Sequence, residues 1–421
     1  MEFLPNLQSA LGLIAFPLMA LLFCKGAKKI NPRLWCATVG LQVVLALVFL
    51  KIPLFQEFFS LLNQGVLALQ AATNEGTRFV FGYLAGGRLP YEEIAPNTGA
   101  SVVLAFQAFP LIIVIGALTA LLSYWRVLPL IIKGLAAIFT KTLNIGGAVA
   151  LSGAANIFIG MVEAPLFIRN SIRKLSYSEL FLVMTLGMST VAGTVLVLYS
   201  TFLSQVIDNA VGHILTASIM SVPAAVMISL TMIPQTSEPT ASDAEIAFDY
   251  EGSMDAVSQG AVSAMQMMLG ILALIITFIA LVTLTNYGLG LLPDYDGSPI
   301  SLERVLGWLM APICWLMGIP WQEATSAGSL MGIKTVLNEF LAFISQSQLP
   351  EDALSPRSDL IISYALCGFA NFGSLGILIG GLSAMAPERR GEITRLGLLS
   401  MVSGTLATCM TASVIGLLTL A

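Results

Sequence analysis

Charge is scarce in this chain. Of 421 residues only 10% are Asp, Glu, Lys or Arg, and the formal net charge is −5. A soluble domain carries roughly 25% charged residues. No basic patch exists, which excludes nucleic acid as a partner. Histidine is nearly missing as well: His213 is the only one, too few for a typical zinc site or an HExxH helix. The five cysteines (Cys24, Cys36, Cys314, Cys367, Cys409) form no CxxC and stand beside no histidine. They read as apolar-helix residues rather than a redox pair or disulfide framework. Apolar residues dominate instead, at 57% of the chain with a mean hydropathy of +0.87. At ~20 apolar residues per crossing this sets a ceiling of about twelve spans. The composition specifies an all-α polytopic membrane protein whose first partner is the lipid bilayer.

The apolar run at 8–24 is followed, not preceded, by positive residues: Lys25, Lys28, Lys29 and Arg33. That order predicts a first span with its N-terminus outside rather than a cleaved signal peptide. Hydropathy and breaks predict further spans at about 34–51, 100–123, 179–206, 211–233, 262–288, 359–384 and 395–420. The stretch 55–98 mixes charge with apolar stripes and reads as amphipathic helices lying along the interface. The loop 234–261 is acidic, with no Lys or Arg. Three basic clusters, at 25–33, 169–174 and 389–395, all lie inside if 128–168 and 303–343 each enter and leave on one side. Both then become re-entrant hairpins, one from each side, and both termini lie outside.

The two halves read alike as inverted repeats. In the first, the expected tip is Asn156-Ile-Phe-Ile159-Gly160-Met161-Val162-Glu163-Ala-Pro165, followed by a broken span at Gly187–Thr194. In the second, the expected tip is Gly318-Ile-Pro320-Trp321-Gln322-Glu323-Ala-Thr325, followed by a broken span at Cys367–Ser374. Paired interrupted segments at matching positions point to a transporter's midplane site. Glu163, Glu323 and Glu339 lie at membrane depth, where a carboxylate costs ~2.5–3.5 kcal/mol. Lys334 stands five residues before Glu339, so that pair reads equally as a structural ion pair. No Lys or Arg stands close to Glu163 or Glu323 in sequence, and both read as ligand groups. Asn156 and Thr190, with unwound backbone carbonyls, offer an all-oxygen cage for a monovalent cation. Phe369 reads either as packing or as an aromatic wall for a flat ring. A site of Glu, Asn and Ser acceptors without Arg or Lys suits a neutral, hydroxyl-rich solute.

Gly332-Ile-Lys334-Thr-Val-Leu-Asn338-Glu339-Phe340-Leu-Ala342-Phe resembles the GxKxxxNEFVA signature of concentrative nucleoside transporters. Pro320–Ala324, Cys367–Phe372 and Ala386–Gly391 resemble that family too, and the similarity spans essentially the whole chain. The resemblance implies eight spans, two re-entrant hairpins and a homotrimer in a bacterial cytoplasmic (inner) membrane. It divides the chain into a mainly scaffold segment (1–127), the first transport repeat (128–233), the acidic loop with scaffold span 6 (234–302) and the second transport repeat (303–421). Glu163 matches a glutamate facing the nucleobase, and Glu323 is taken to match one that binds ribose hydroxyls. Asn371 and Ser374 match ribose contacts, while Phe369 and Val195 match apolar contacts at base and sugar. Asn156, the Ile159 carbonyl, Thr190 and the Val191 carbonyl match a sodium site.

One departure stands out. The usual tip reads Gly-Gln-Thr/Ser-Glu, whereas here it reads Gly160-Met161-Val162-Glu163. Two hydrogen-bonding partners of the base are lost, at ~0.5–1.5 kcal/mol each, so ribose recognition is expected to persist and base preference to shift away from uridine. The expected function is sodium-driven nucleoside import by alternating access, with no organic cofactor. The alternatives are a proton symporter of the same fold with Glu163 as carrier, or an intramembrane enzyme. The latter needs a catalytic pair or metal cluster, and Ser374 has no base near it in sequence.

Overall fold

Backbone polar groups inside a bilayer must be satisfied within the chain, and an apolar sequence does so by forming helices. The structure, a computed structural model, describes residues 4–24, 31–90, 103–161, 163–240, 250–295 and 297–419. Among these the only β pairing is an isolated bridge between Tyr295 and Ser298. The N-terminal helices are α1 (Leu4–Leu22), α2 (Pro32–Lys51), α3 (Pro53–Phe81), α4 (Leu104–Gln107) and α5 (Pro110–Tyr124). Next come α6 (Val127–Leu143), α7 (Gly147–Phe158), α8 (Arg169–Ile172), α9 (Tyr177–Ser189), α10 (Gly193–Leu203) and α11 (Ala210–Met232). The long α12 (Ser253–Leu289) leads to α13 (Leu302–Leu316), α14 (Trp321–Val336) and α15 (Glu339–Ser347). The chain closes with α16 (Pro356–Leu366), α17 (Phe372–Met385) and α18 (Arg390–Leu418).

The same order occurs twice. α6 to α11 and α13 to α18 each run as a helix, a second helix, a break, a short helix, a helix interrupted by extended backbone, and a long helix. The predicted hairpins are therefore each three elements rather than two. Asn144, at φ +52°, ends α6 before α7 begins. Gly318, at φ +105°, and Pro320 turn the chain from α13 into α14 with a bend of 118°.

The expected second tip at Gly318–Thr325 is thus the turn entering α14. The break that corresponds to the first tip lies at Leu337–Asn338. Glycine and proline mark turns in general, and here they mark the wrong one. At the true break Asn338 restarts the helix by accepting the Leu341 N–H at 2.9 Å, which is what an N-cap asparagine does.

Six helices among the described residues are long and apolar enough to cross a membrane, or seven if the bent α13–α14 pair counts as one. The predicted first and seventh spans, α1 and the interrupted α16–α17, fall below that length. α3 is one amphipathic helix of 29 residues and is not among the six. Part of 55–98, from 91 onward, and residues 241–249 of the acidic loop lie outside the described residues.

Burial separates a centre from a periphery. The most apolar stretch of α9–α10 is 94% buried, against 11% for α12. α5 and α12 pack closely through small residues: a Cβ on Gly260 would lie 2.6 Å from the Ala120 Cβ. Such contacts let apolar helices approach where no hydrophobic force drives them together.

Basic residues tie the two ends. Arg173 pairs with Glu388 at 2.6 Å, and Arg389 donates to the Ile172 and Leu175 carbonyls. The clusters at 169–174 and 389–395 therefore share one end, as charge placement predicts. At the other end of α18, Arg357 donates to the carbonyls of Gly318 and Gly416 and to Asn6 Oδ1. The start of α1 and the end of α18 meet there.

Candidate functional site

The first break joins α9 to α10. Thr190 and Ala192 are extended (φ −122°, ψ 166° and φ −69°, ψ 139°). Gly193 lets α10 start against the end of α7, because a Cβ there would lie 2.6 Å from the Phe158 carbonyl oxygen. Asn156, third from the end of α7, is buried beside this break. Its Nδ2 donates to the Leu186 carbonyl at 3.0 Å and to Thr190 Oγ1 at 2.5 Å. Its Oδ1 is buried with no hydrogen-bond partner among the described residues. Ser218 of α11 holds the other side of the break, accepting from the Val191 N–H at 3.1 Å. An orphaned buried acceptor, a hydroxyl and the carbonyl end of a half-helix together form a cation-attracting spot.

The tip after α7 turns on Gly160, whose φ of +131° suits glycine alone. A Cβ there would also come within 2.9 Å of Glu163 Oε2. Gly160→Ala therefore strains the tip by ~1–3 kcal/mol, and initial-rate uptake is expected to fall roughly tenfold. Alanine at parity would mean that the tip conformation is not needed.

The second break spans Cys367–Asn371. Asn371 caps α17 by accepting the Ser374 N–H on Oδ1 at 2.7 Å. Its Nδ2 donates to Glu339 Oε2 at 2.9 Å, and the Tyr199 hydroxyl donates to Glu339 Oε1 at 2.5 Å. Glu339 opens α15, so the second tip, the second break and α10 converge on one carboxylate. The breaks also back onto each other. A Cβ on Gly368 would lie 3.0 Å from the Met188 carbonyl oxygen near the end of α9.

Between these elements lies a cavity of about 740 Å³, within the usual range for a small-molecule site. Ile159, Gly160, Met161, Glu163, Val195, Phe369, Asn371 and Ser374 all line it. Asn156, Thr190 and Val191 lie buried at the adjoining break. Val162 lies outside the described residues.

Glu323 is not brought here. It sits in the first turn of α14, and its Oε2 accepts from the backbone N–H and the hydroxyl of Ser355, the N-cap of α16. The carboxylate that the second half brings to the cavity is Glu339. Nor does Glu339 direct its oxygens to Lys334, which is fully buried and donates to the Ala365 carbonyl at 2.6 Å and Thr408 Oγ1 at 3.2 Å. Sequence reasoning also missed Tyr199, Asn338 and, on α12, Ser263 and Gln266, all of which line the cavity. Asn338-Glu339 was findable as an N-cap followed by an acid in the first turn. Gln266, an amide within an apolar helix, carried a weaker signal.

Two interrupted helices whose breaks meet beside one polar-rimmed cavity, inside an apolar helical chain, define a membrane transporter. Three family models match: "Na+ dependent nucleoside transporter N-terminus" over residues 11–84, "Gate: Nucleoside recognition" over 105–206 and "Na+ dependent nucleoside transporter C-terminus" over 213–416. The chain belongs to the Na+-dependent nucleoside transporter family, and it is a transporter rather than an enzyme. It is 35% identical to the uncharacterized transporter YutK of Bacillus subtilis, covering 98% of this chain and 99% of that one. It is 33% identical to the nucleoside permease NupC of Helicobacter pylori, covering 98% and 97%. Human solute carrier family 28 member 3 is 31% identical, across 97% of this chain but 59% of that longer one. CNTnw in an inward-facing substrate-bound state superposes with a TM-score of 0.88 at 35% identity, covering 99% of both chains. An outward-facing CNTnw variant also superposes at 0.88, with 34% identity and 98% of both chains covered.

Proposed function

We propose that this protein is a sodium-coupled symporter that imports nucleosides. The observation that carries the reading is the orphaned Asn156 Oδ1 beside Thr190, at the break that adjoins the Glu339 cavity. Sodium, as co-transported cargo, is held by Asn156, Thr190 and the carbonyls of Ile159 and Val191. It thereby orders the first tip, and with it Glu163, against the cavity. Glu339, Asn371 and Ser374 receive the ribose, Val195 and Phe369 take apolar contacts, and Glu163 faces the base. One sodium ion moving down ~150 mV supplies about 3.4 kcal/mol, enough for roughly 300-fold accumulation.

The broken halves act as inverted repeats with re-entrant tips at 159–163 and 337–338. Eight spans follow when α1 and α16–α17 are counted. The buried helices move as a unit against a scaffold that includes α5 and α12, within a homotrimer in the bacterial inner membrane with both termini outside. Similarity to CNTnw in inward- and outward-facing forms supports alternating access. Affinity of the purified protein for a labelled nucleoside is expected to rise at least tenfold on replacing potassium by sodium. Equal affinity in both salts would refute the cation site.

Met161 and Val162 offer the base no hydrogen bond, so base preference differs from uridine. Thr194 of α10 and Gln266 and Ser263 on the α12 wall are further polar groups that line the cavity. Met161→Gln combined with Val162→Thr restores two hydrogen bonds at ~0.5–1.5 kcal/mol each, and the uridine half-saturation concentration is expected to fall about tenfold. An unchanged rank order across a nucleoside panel would mean that the tip does not choose the base.

A further inference from the structure

We infer that the ammonium group of Lys334 is a resident cation filling the second repeat's counterpart of the sodium site, so that each cycle uses one exchangeable cation. The inference rests on the sodium reading of the Asn156 site.

The match between the halves is positional. Asn156 is third from the end of α7, and Lys334 is third from the end of α14, the corresponding helix. Asn156 reaches the carbonyl end of the half-helix α9, at Leu186 and the capping Thr190. Lys334 reaches the carbonyl end of the half-helix α16, at Ala365. The long helix that follows brings a hydroxyl to each break: Ser218 of α11 pairs with the Val191 N–H and carbonyl at the first, and Thr408 of α18 accepts from Lys334 itself at the second. In both halves the last turn before a break presents carbonyl oxygens with no helical partner, and these carry the negative end of the helix dipole.

What differs is the group supplied. The first half offers a neutral amide whose oxygen stays buried and unpartnered. The second half offers a tethered positive charge, fully buried, that satisfies the carbonyl and the hydroxyl itself. A buried ammonium is costly unless such acceptors surround it. Here the acceptors are the same kind that the first half leaves for a mobile ion. The first cation leaves with each cycle, and the second cannot.

The test begins with the wild-type protein in proteoliposomes. The ratio of charge to nucleoside moved is expected to be one, with a Hill coefficient for sodium of about 1. A ratio of two overturns the inference. Uptake indifferent to sodium defeats the sodium reading instead, and that result appears before any variant is made. Lys334→Met removes the charge and offers no ligand, so uptake should drop about 100-fold at every sodium concentration. Lys334→Asn copies the first half, and its sodium response should steepen toward a Hill coefficient of 2 with half-saturation about tenfold higher. Uptake by Lys334→Met within twofold of wild type, or an unchanged Hill coefficient in folded Lys334→Asn, would also overturn it. A purely structural lysine would lower yield and melting temperature without steepening the sodium response. If neither variant folds, a wild-type ratio of two still overturns the inference.

Discussion

Glu339→Gln is expected to lower nucleoside uptake by about 100-fold or more, while Glu323→Gln stays within about twofold of wild type. The two glutamates are 16 residues apart and look alike in sequence, but their surroundings differ. Glu339 accepts the Tyr199 hydroxyl on one oxygen and the Asn371 amide on the other. A glutamine there has one acceptor oxygen and an NH₂ group that must face either the tyrosine or the asparagine donor. Hydrogen bonds to a charged group are worth about 1.5–3 kcal/mol each. Losing one in the protein and one to a ribose hydroxyl therefore removes at least about 3 kcal/mol, or roughly two orders of magnitude. Glu323 caps the approach to α16 through Ser355, outside the cavity. Its amide retains an acceptor for either Ser355 group, so the cost is a small loss of stability. Initial-rate uptake of both variants, with melting temperatures to establish folding, separates the two roles. Equal losses in both would contradict the placement of the carboxylate site at the second break.

Asn156→Leu is expected to abolish the response to sodium, reducing stimulation by saturating sodium to less than twofold, and to lower uptake at least tenfold. Leucine has the branched shape of asparagine, with bulkier methyl groups, but no oxygen to offer a cation. It also withdraws the donors that Asn156 Nδ2 gives to the Leu186 carbonyl and Thr190 Oγ1. The Leu186 carbonyl still accepts from the Ser189 and Thr190 hydroxyls, so the structural loss is about one buried hydrogen bond, ~0.5–1.5 kcal/mol, and the folded fraction is measured alongside transport. Uptake that stays sodium-dependent with unchanged half-saturation would place the cation elsewhere.

Much of this arrangement was legible from composition and punctuation. Low charge and high hydropathy gave the membrane class, and Lys and Arg placement brought the 169–174 and 389–395 clusters to one end. Asn156, Thr190 and Asn371 were readable because they interrupt apolar runs, and Phe369 because it stands beside Gly368 in the broken span; the structure gathers them at two breaks. The second tip was misread for a physical reason. Gly318 and Pro320 form a conspicuous turn, yet a turn between two helices carries no ligand by itself. The break that matters, Leu337–Asn338, has neither glycine nor proline, and it is made by an asparagine cap. Lys334 was similarly hidden. Five residues from Glu339 it suggested an ion pair, but the helix break between them sends the two side chains to different partners. Gln266 was unreadable as a site residue because only the packing of α5 against α12 shows which face of that helix meets the cavity.

The central claim is that a sodium gradient drives nucleosides through the Glu339 cavity. Its most direct test is uptake of a labelled nucleoside panel into proteoliposomes, with an imposed sodium gradient, with a proton gradient alone, and with neither. The account predicts accumulation only with sodium, and a rank order in which uridine is not first. Accumulation driven by the proton gradient in the absence of sodium would contradict it and select a proton symporter of the same fold.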